Sequence, residues 1–206
     1  MLNSARAVLL RNRHQTAQQA NMTKTNPPEI PTPERLIELY ETKHTNEAGY
    51  GGGKLYHKQL GELCASHHIG SVLDWGCGKG GVVNYLKSSG MKAQGYDPAM
   101  PEFKNKPKGR FDCVCCFDVA EHWHPDRVDE EIRDVAIHTG QLAVFVVSCR
   151  VAVHQLPDGT NCHTIVESGE WWRDRLNRVM ELEGLTMEFH SYNPGRKTLY
   201  AYFLRH

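Results

Sequence analysis

The reading of this chain turns on Ser71-Val-Leu-Asp-Trp-Gly-Cys-Gly-Lys-Gly-Gly81 and on Gly95-Tyr-Asp97, which follows soon after. Val72 and Leu73 make a short apolar run that ends in an acid, Asp74, before the chain breaks into Gly76, Gly78, Gly80 and Gly81. Val82 to Lys87 then carries one apolar helical face, stopped by Ser88-Ser-Gly90, and Met91 to Tyr96 forms a second strand ending in Asp97. The order is strand, glycine turn, helix, strand. Glycines at such a bend let the backbone turn tightly and approach a ligand with no side chain in between. Asp97 stands 17 residues beyond Gly80, where an acid can grip a pair of ribose hydroxyls.

The position of Asp74 separates the candidate ligands. A dinucleotide fingerprint sets Gly-x-Gly-x-x-Gly against a pyrophosphate. Here the pattern is Asp74-x-Gly76-x-Gly78-x-Gly80, and a carboxylate ahead of the first glycine repels phosphate while suiting a cation. The stretch closely resembles the first motif of class I S-adenosylmethionine-dependent methyltransferases, whose ligand carries an amine and a sulfonium. Asp97 falls at the place of that family's ribose-binding acid. Phe111-Asp-Cys-Val-Cys-Cys-Phe-Asp-Val-Ala-Glu-His-Trp-His-Pro125 resembles its fourth strand and the acidic turn that follows. The resemblance implies an α/β, Rossmann-like, mostly parallel sheet with helices on both faces and a C-terminal antiparallel strand pair. It also implies S-adenosyl-L-methionine as cofactor and S-adenosyl-L-homocysteine as product. The expected cofactor-binding residues are Asp74, Gly76, Cys77, Gly78, Asp97, Pro98, Asp118 and Tyr50.

The remaining elements follow from pattern. Thr32 caps a helix from Pro33 to about Lys43 with Leu36, Ile37, Leu39 and Tyr40 on its apolar side. Lys54 to about His67 forms a second helix, and Phe111 to Phe117 a strand. Pro125 starts a helix through about His138 that Gly140 ends, and Gln141 to Cys149 is a strand apolar enough to be buried on both faces. Glu170 to Glu183 is helical, and Leu185 to Tyr192 pairs with Thr198 to Leu204. Alternating strands and helices imply a mostly parallel sheet covered on both sides.

One interval departs from the family pattern. Only thirteen residues separate Asp97 from Phe111, too few for the helix, strand and helix that the family places there. The third family strand is therefore expected to be reduced or missing, and with it the usual contact to adenine. Asp112, or Phe117-Asp118, is the expected substitute.

Composition sets bounds. The 206 residues suit one domain, expected over 33–206, after a disordered extension and linker over 1–32 that carries Pro27, Pro28 and Pro31, with Pro33 opening the first helix. The first acid is Glu29, while Arg6, Arg11, Arg13 and Lys24 precede it, so a transit peptide or a start at Met22 are the alternatives to disorder. The charge of zero, from 24 basic and 24 acidic side chains, advertises no nucleic-acid partner. No stretch has the apolar length of a membrane span. Seven cysteines, three of them in one expected buried strand at Cys113, Cys115 and Cys116, point to thiols in a reducing, cytoplasmic setting rather than to disulfides or a metal.

Ligands in open α/β sheets lie beyond the carboxyl ends of the strands. That rule puts Asp118, Glu121, His122 and His124 on the cofactor side, with His154-Gln-Leu-Pro-Asp-Gly-Thr-Asn-Cys-His163 as a loop covering a substrate. Methyl transfer to an alcohol, phenol or ammonium needs a proton removed, so His122, His154 and His163 are the candidate catalytic residues. His122-x-His124 with His154 or His163 has none of the strong metal spacings, and no metal is expected. Tyr50-Gly-Gly-Gly-Lys-Leu-Tyr56 suits a lid over the cofactor. Trp171-Trp172 is expected to anchor the core, and Arg173, Arg175 and Arg178 to form a solvated basic face. The function expected is methyl transfer to an oxygen or nitrogen of a small molecule. The alternatives are a nucleic-acid or protein acceptor, or a protein that binds or cleaves the cofactor without an acceptor. Nothing in the sequence fixes the oligomeric state.

Overall fold

A computed structural model describes residues 30–50 and 56–206. Its helices are α1 (Pro33–Asn46), α2 (His57–Ser66), α3 (Gly81–Ser88), α4 (Val128–His138) and α5 (Gly169–Leu182). Its strands are β1 (Ser71–Trp75), β2 (Lys92–Tyr96), β3 (Phe111–Phe117), β4 (Thr139–Ser148), β5 (Leu185–Asn193) and β6 (Thr198–Arg205). They form one six-stranded sheet in the order β2-β1-β3-β4-β6-β5. The four strands from β2 to β4 run parallel, and β6 lies antiparallel between β4 and β5. This is the α/β, Rossmann-like arrangement expected.

The third family strand is absent. Between Asp97 and β3 the chain makes only turns, so β2 becomes the edge of the sheet. Phe103 fills part of the gap. Its backbone carbonyl accepts the Asp97 amide at 3.1 Å, and its ring lies against the backbones of Gly80 and Gly95.

Two apolar layers sandwich the sheet because adjacent strand residues point to opposite faces. Leu73, Val114, Cys116, Phe145 and Val147 join Ile132, Val135, Trp172, Leu176 and Met180 of α4 and α5. Val72, Cys113, Cys115, Leu142 and Val146 join Leu60, Cys64, Val82 and Leu86 of α2 and α3. The cysteines of β3 thus alternate between the layers as small apolar side chains, all fully buried. Trp172 anchors the first layer, while Trp171 packs on its margin.

Helix boundaries follow local chemistry. The Thr32 hydroxyl accepts the Arg35 amide at the start of α1, and the Ser168 hydroxyl accepts the Trp171 amide at the start of α5. Two expectations need correction. Pro125 opens a short 3-10 turn, Pro125–Arg127, and α4 begins only at Val128. Gly140 does not end that helix but lies within β4, where an added Cβ would stand 3.0 Å from the Phe111 carbonyl oxygen. A glycine is needed there because two strands approach closely at a bulge. No described helix is long and apolar enough to cross a membrane. Residues 1–29 and 51–55 lie outside the described part, so the extension, the transit-peptide alternative and most of the lid segment do too.

Candidate active site

A cavity of about 430 Å³ opens beyond the carboxyl ends of the parallel strands, where the reversal of strand order between β1 and β3 makes a crevice for ligands in such sheets. The glycine bend forms one wall. Gly76, Gly78 and Gly80 have φ of 76°, 50° and 73°, left-handed values that L side chains rarely adopt. At Gly76 space is decisive as well, since a Cβ would sit 2.4 Å from the methyls of Val119. The Gly76 and Cys77 amides both donate to the Tyr96 carbonyl, at 2.7 and 3.1 Å, which ties the bend to the end of β2.

Two acids flank the bend. Asp97 accepts the Gly78 amide on one oxygen and the Ala99 amide on the other, each at 2.9 Å. Every carboxylate oxygen keeps a further lone pair for a ligand. Asp74 is 4% exposed and, among the described residues, receives only the Cys115 thiol, at 3.6 Å. Burial lifts its pKa to about 7, with Asp97 adding to the rise and the Cys115 contact opposing it. Burial likewise raises Asp97. Both carboxyls are held where burial makes their charge costly, so a cation beside them would favour the ionised form. Pro98 and Cys77 complete this end of the cavity, and burial raises the Cys77 thiol.

Helix α1 covers the bend. Lys79 Nζ donates to the carbonyls of Glu47 and Ala48, at 2.6 and 3.1 Å. Tyr50 lines the cavity, with Lys43 Nζ 4.7 Å above its ring and His154 edge-on at 6.0 Å. Asp118 lines it too, at a left-handed φ of 53°. Burial raises its carboxyl against the opposing Tyr56 hydroxyl and Arg150.

The far wall is made of histidines brought together from distant segments. His122 Nδ1 lies 2.8 Å from the Cys162 carbonyl and 2.8 Å from the Tyr40 hydroxyl, which itself donates to that carbonyl. Burial, reinforced by His163, pushes His122 down to about 4. His163 Nδ1 donates to the Arg150 carbonyl, and its ring stands edge-on to His122 with centroids 4.9 Å apart. Burial also lowers His163. Behind them Glu121 is fully buried, and its Oε1 accepts the Ser148 amide at 3.0 Å. Burial, with Asp118 next, raises it well above the ordinary range.

The segment from His154 to His163 folds over the cavity as expected for a cover. A bridge between Gln155 and Asn161 closes it, and Leu156 and Cys162 pack against Leu36, Leu39 and Tyr40 of α1. His154 is exposed at its rim. His124 also lines the cavity, with its Nδ1 accepting the Asp126 amide at 3.2 Å.

Asp112 does not reach the cavity. Its Oδ2 accepts the Gly70 and Ser71 amides and the Ser71 hydroxyl, at 3.0, 2.9 and 3.1 Å. That is the opposite end of β1, because Asp112 opens β3 where Phe117 closes it. Phe117 and Asp118 do line the cavity. Tyr40, His44 and Cys162 line the cavity without any sequence signal that marks them as site residues. Glu121, expected on the cofactor side, carries its signal as the acid beside His122.

A family model described as "Methyltransferase domain" matches residues 12–188. The chain belongs to that methyltransferase family. Solved structures agree in fold. A Burkholderia thailandensis 1,6-didemethyltoxoflavin-N1-methyltransferase, with its acceptor and S-adenosylhomocysteine bound, is 14% identical over 87% of this chain and 93% of its own, with a TM-score of 0.59. The magnesium protoporphyrin IX methyltransferase of Synechocystis PCC 6803, with S-adenosylmethionine bound, is 12% identical over 87% and 99%, with a TM-score of 0.59. DhpI with S-adenosylhomocysteine is 19% identical over 84% and 98%, with a TM-score of 0.60. No curated protein matches the chain in sequence. The resemblance to class I methyltransferases and the Rossmann-like fold expected from it are both borne out.

Proposed function

We propose that this methyltransferase uses S-adenosylmethionine to methylate an oxygen or nitrogen of a small molecule, with Asp74, Gly76, Cys77, Gly78, Asp97, Pro98, Asp118 and Tyr50 holding the cofactor. One observation carries the reading. Two buried carboxyls, Asp74 and Asp97, flank a bend with no side chains and face a cavity, a cradle for a nucleoside that carries positive charge. When bound, the cofactor supplies an electrophilic methyl group on a sulfonium. The protein's part is to hold the nucleoside, exclude water beneath α1 and the His154–His163 segment, and present the acceptor in line with that methyl. With no third family strand, Phe117 and Asp118 are the groups placed to meet the adenine.

The acceptor faces His122, His154 and His163, the groups placed to handle its proton or to hold its polar atoms. Two of the similar structures carry the names of small-molecule methyltransferases, for didemethyltoxoflavin and for magnesium protoporphyrin IX, which supports a small-molecule acceptor. All seven cysteines are free and buried, which fits a cytoplasmic setting.

Calorimetry with S-adenosylmethionine and S-adenosylhomocysteine, with a nicotinamide dinucleotide as control, tests the cofactor. Saturable binding of the sulfur nucleosides is expected, and dinucleotide binding in their place would sink the reading. Incubation with methyl-labelled cofactor and fractionated extract tests the acceptor class. Label in a small-molecule fraction is expected. Label in RNA or protein, or cofactor breakdown with no acceptor, would redirect it.

A further inference from the structure

We propose that Glu121, His122 and His163 form a binding site for a divalent first-row transition metal ion in the wall of the cavity. One ring nitrogen of each histidine and one carboxylate oxygen of Glu121 lie within 4.8 Å of one another. Donors bound at about 2.0–2.2 Å sit roughly 3–3.5 Å apart around an ion. Closure therefore needs the three side chains to draw in by about an ångström, within the reach of small side-chain rotations.

The supporting contacts are those that a metal ligand needs. Ligating histidines almost always donate their second ring N–H to a carbonyl or carboxylate, which fixes the ring and the tautomer. His163 Nδ1 faces the Arg150 carbonyl and His122 Nδ1 faces the Cys162 carbonyl. A carbonyl can only accept, so each Nδ1 carries the hydrogen. His163 Nε2 is then free of that carbonyl and stands 4.0 Å from Glu121 Oε1, while His122 also faces the Asp118 carbonyl, a contact the ion has to displace. Glu121 adds an independent sign. Oε1 accepts the Ser148 amide, but Oε2 is buried with no hydrogen-bond partner among the described residues. A native fold rarely strands a carboxylate oxygen unless something outside the chain completes it.

Two imidazoles and one carboxylate suit a transition ion better than magnesium or calcium, which favour oxygen donors throughout. His122 and His163 line the cavity, so the remaining coordination positions open toward it. There they can take water or oxygen atoms of the methyl acceptor, a consequence that rests on the function proposed above and leaves His154 as the histidine free to take a proton when the ion is bound. The pattern escapes a spacing rule because His163 comes 41 residues after His122 and meets it only through the fold.

The test uses the untagged full chain, stripped with chelator and titrated with Mn2+ while free ion is followed by electron paramagnetic resonance. One ion per chain is expected, and Glu121→Gln and His163→Asn should each weaken it at least tenfold with circular dichroism unchanged. Absence of saturable binding, or unchanged affinity in both folded variants, would overturn the site. If a variant does not fold, electron spin-echo modulation of Mn2+ on the intact chain decides. Imidazole nitrogen coupling supports the site, and oxygen coordination alone overturns it. Calorimetry with S-adenosylhomocysteine on the same stripped sample keeps the two questions apart, since nucleoside binding and metal binding can each fail alone.

Discussion

The two ends of the cavity are built in opposite ways. At the proposed cofactor end, Asp74, Gly76, Gly78 and Asp97 come from one continuous stretch, and both glycines are fixed within the same strand-turn-strand unit, Gly76 by Tyr96 and Gly78 by Asp97. At the acceptor end, Tyr40, His122 and Cys162 converge on a single carbonyl from α1, the turn after β3 and the segment after β4. The first end depends on local backbone geometry and should fail sharply when that geometry is altered. The second depends on tertiary assembly of segments far apart in the chain.

The sharpest way to break the cofactor end is Gly76→Ala. The new Cβ would meet the Val119 methyls at 2.4 Å, at a φ of 76°. Left-handed strain and overpacking together should cost on the order of 4 kcal/mol. Denaturant unfolding and nucleoside calorimetry should show a destabilised chain with cofactor binding lost. Near-native affinity would mean that the bend is not the cradle.

Asp74 gives an effect of similar size with pH as the lever. Its folded pKa of about 7 lies above the ordinary 3.8, so the ligand-free protein binds this proton more tightly than the unfolded chain does. The stability it contributes is full below about pH 4 and is lost as pH rises through about 7, on the order of 4 kcal/mol in all. Asp74→Asn should flatten that part of the pH profile. Cofactor affinity should run the other way, tightening from pH 6 to 8 as the carboxylate forms, and less so in the variant. A wild-type profile that matches Asp74→Asn in both measurements would remove Asp74 from cation binding.

Much of the cofactor end was legible in the sequence because its information is local. β2 and β3 end at Tyr96 and Phe117 as expected, Asp74, Asp97 and the glycine bend line the cavity, and the thirteen-residue gap matches the missing third strand. Asp112 was misassigned for lack of a direction: a residue that opens a strand lies at the opposite end of the sheet from one that closes it, and a residue type says nothing of this. Gly140 was read as a helix stop because the bulge that needs it pairs β4 with β3, which a single stretch cannot reveal. Tyr40 looked like one more apolar helical residue. Its hydroxyl gains a role only when Cys162 arrives from 122 positions away.

Asp97→Asn probes the junction of the two ends more gently. Asparagine keeps the size but offers one acceptor atom where two amides, from Gly78 and Ala99, now donate. Loss of a charge-assisted hydrogen bond and of the negative charge should cost about 2–3 kcal/mol in nucleoside affinity. That corresponds to a Kd raised roughly 30- to 150-fold by calorimetry. Stability should fall less than affinity does, and the reverse order would make Asp97 a structural strut rather than a ligand.

The smallest effect tests how far the acceptor end extends over the surface. The arginines expected to form a solvated basic face are tied into ion pairs. Arg175 and Arg178 both hold Asp129 of α4, and Arg173 pairs with Asp174. Arg178 is 59% exposed, and Arg175 keeps Asp129 paired without it. Arg178→Ala should therefore change stability by less than about 1 kcal/mol, as exposed pairs usually do. It should leave methyl transfer to a small-molecule fraction unchanged, because α5 packs on the sheet away from the cavity mouth. A severalfold loss of transfer, relieved by added salt, would mean that this face carries a polyanionic acceptor, and the acceptor end would then reach well beyond the histidine wall.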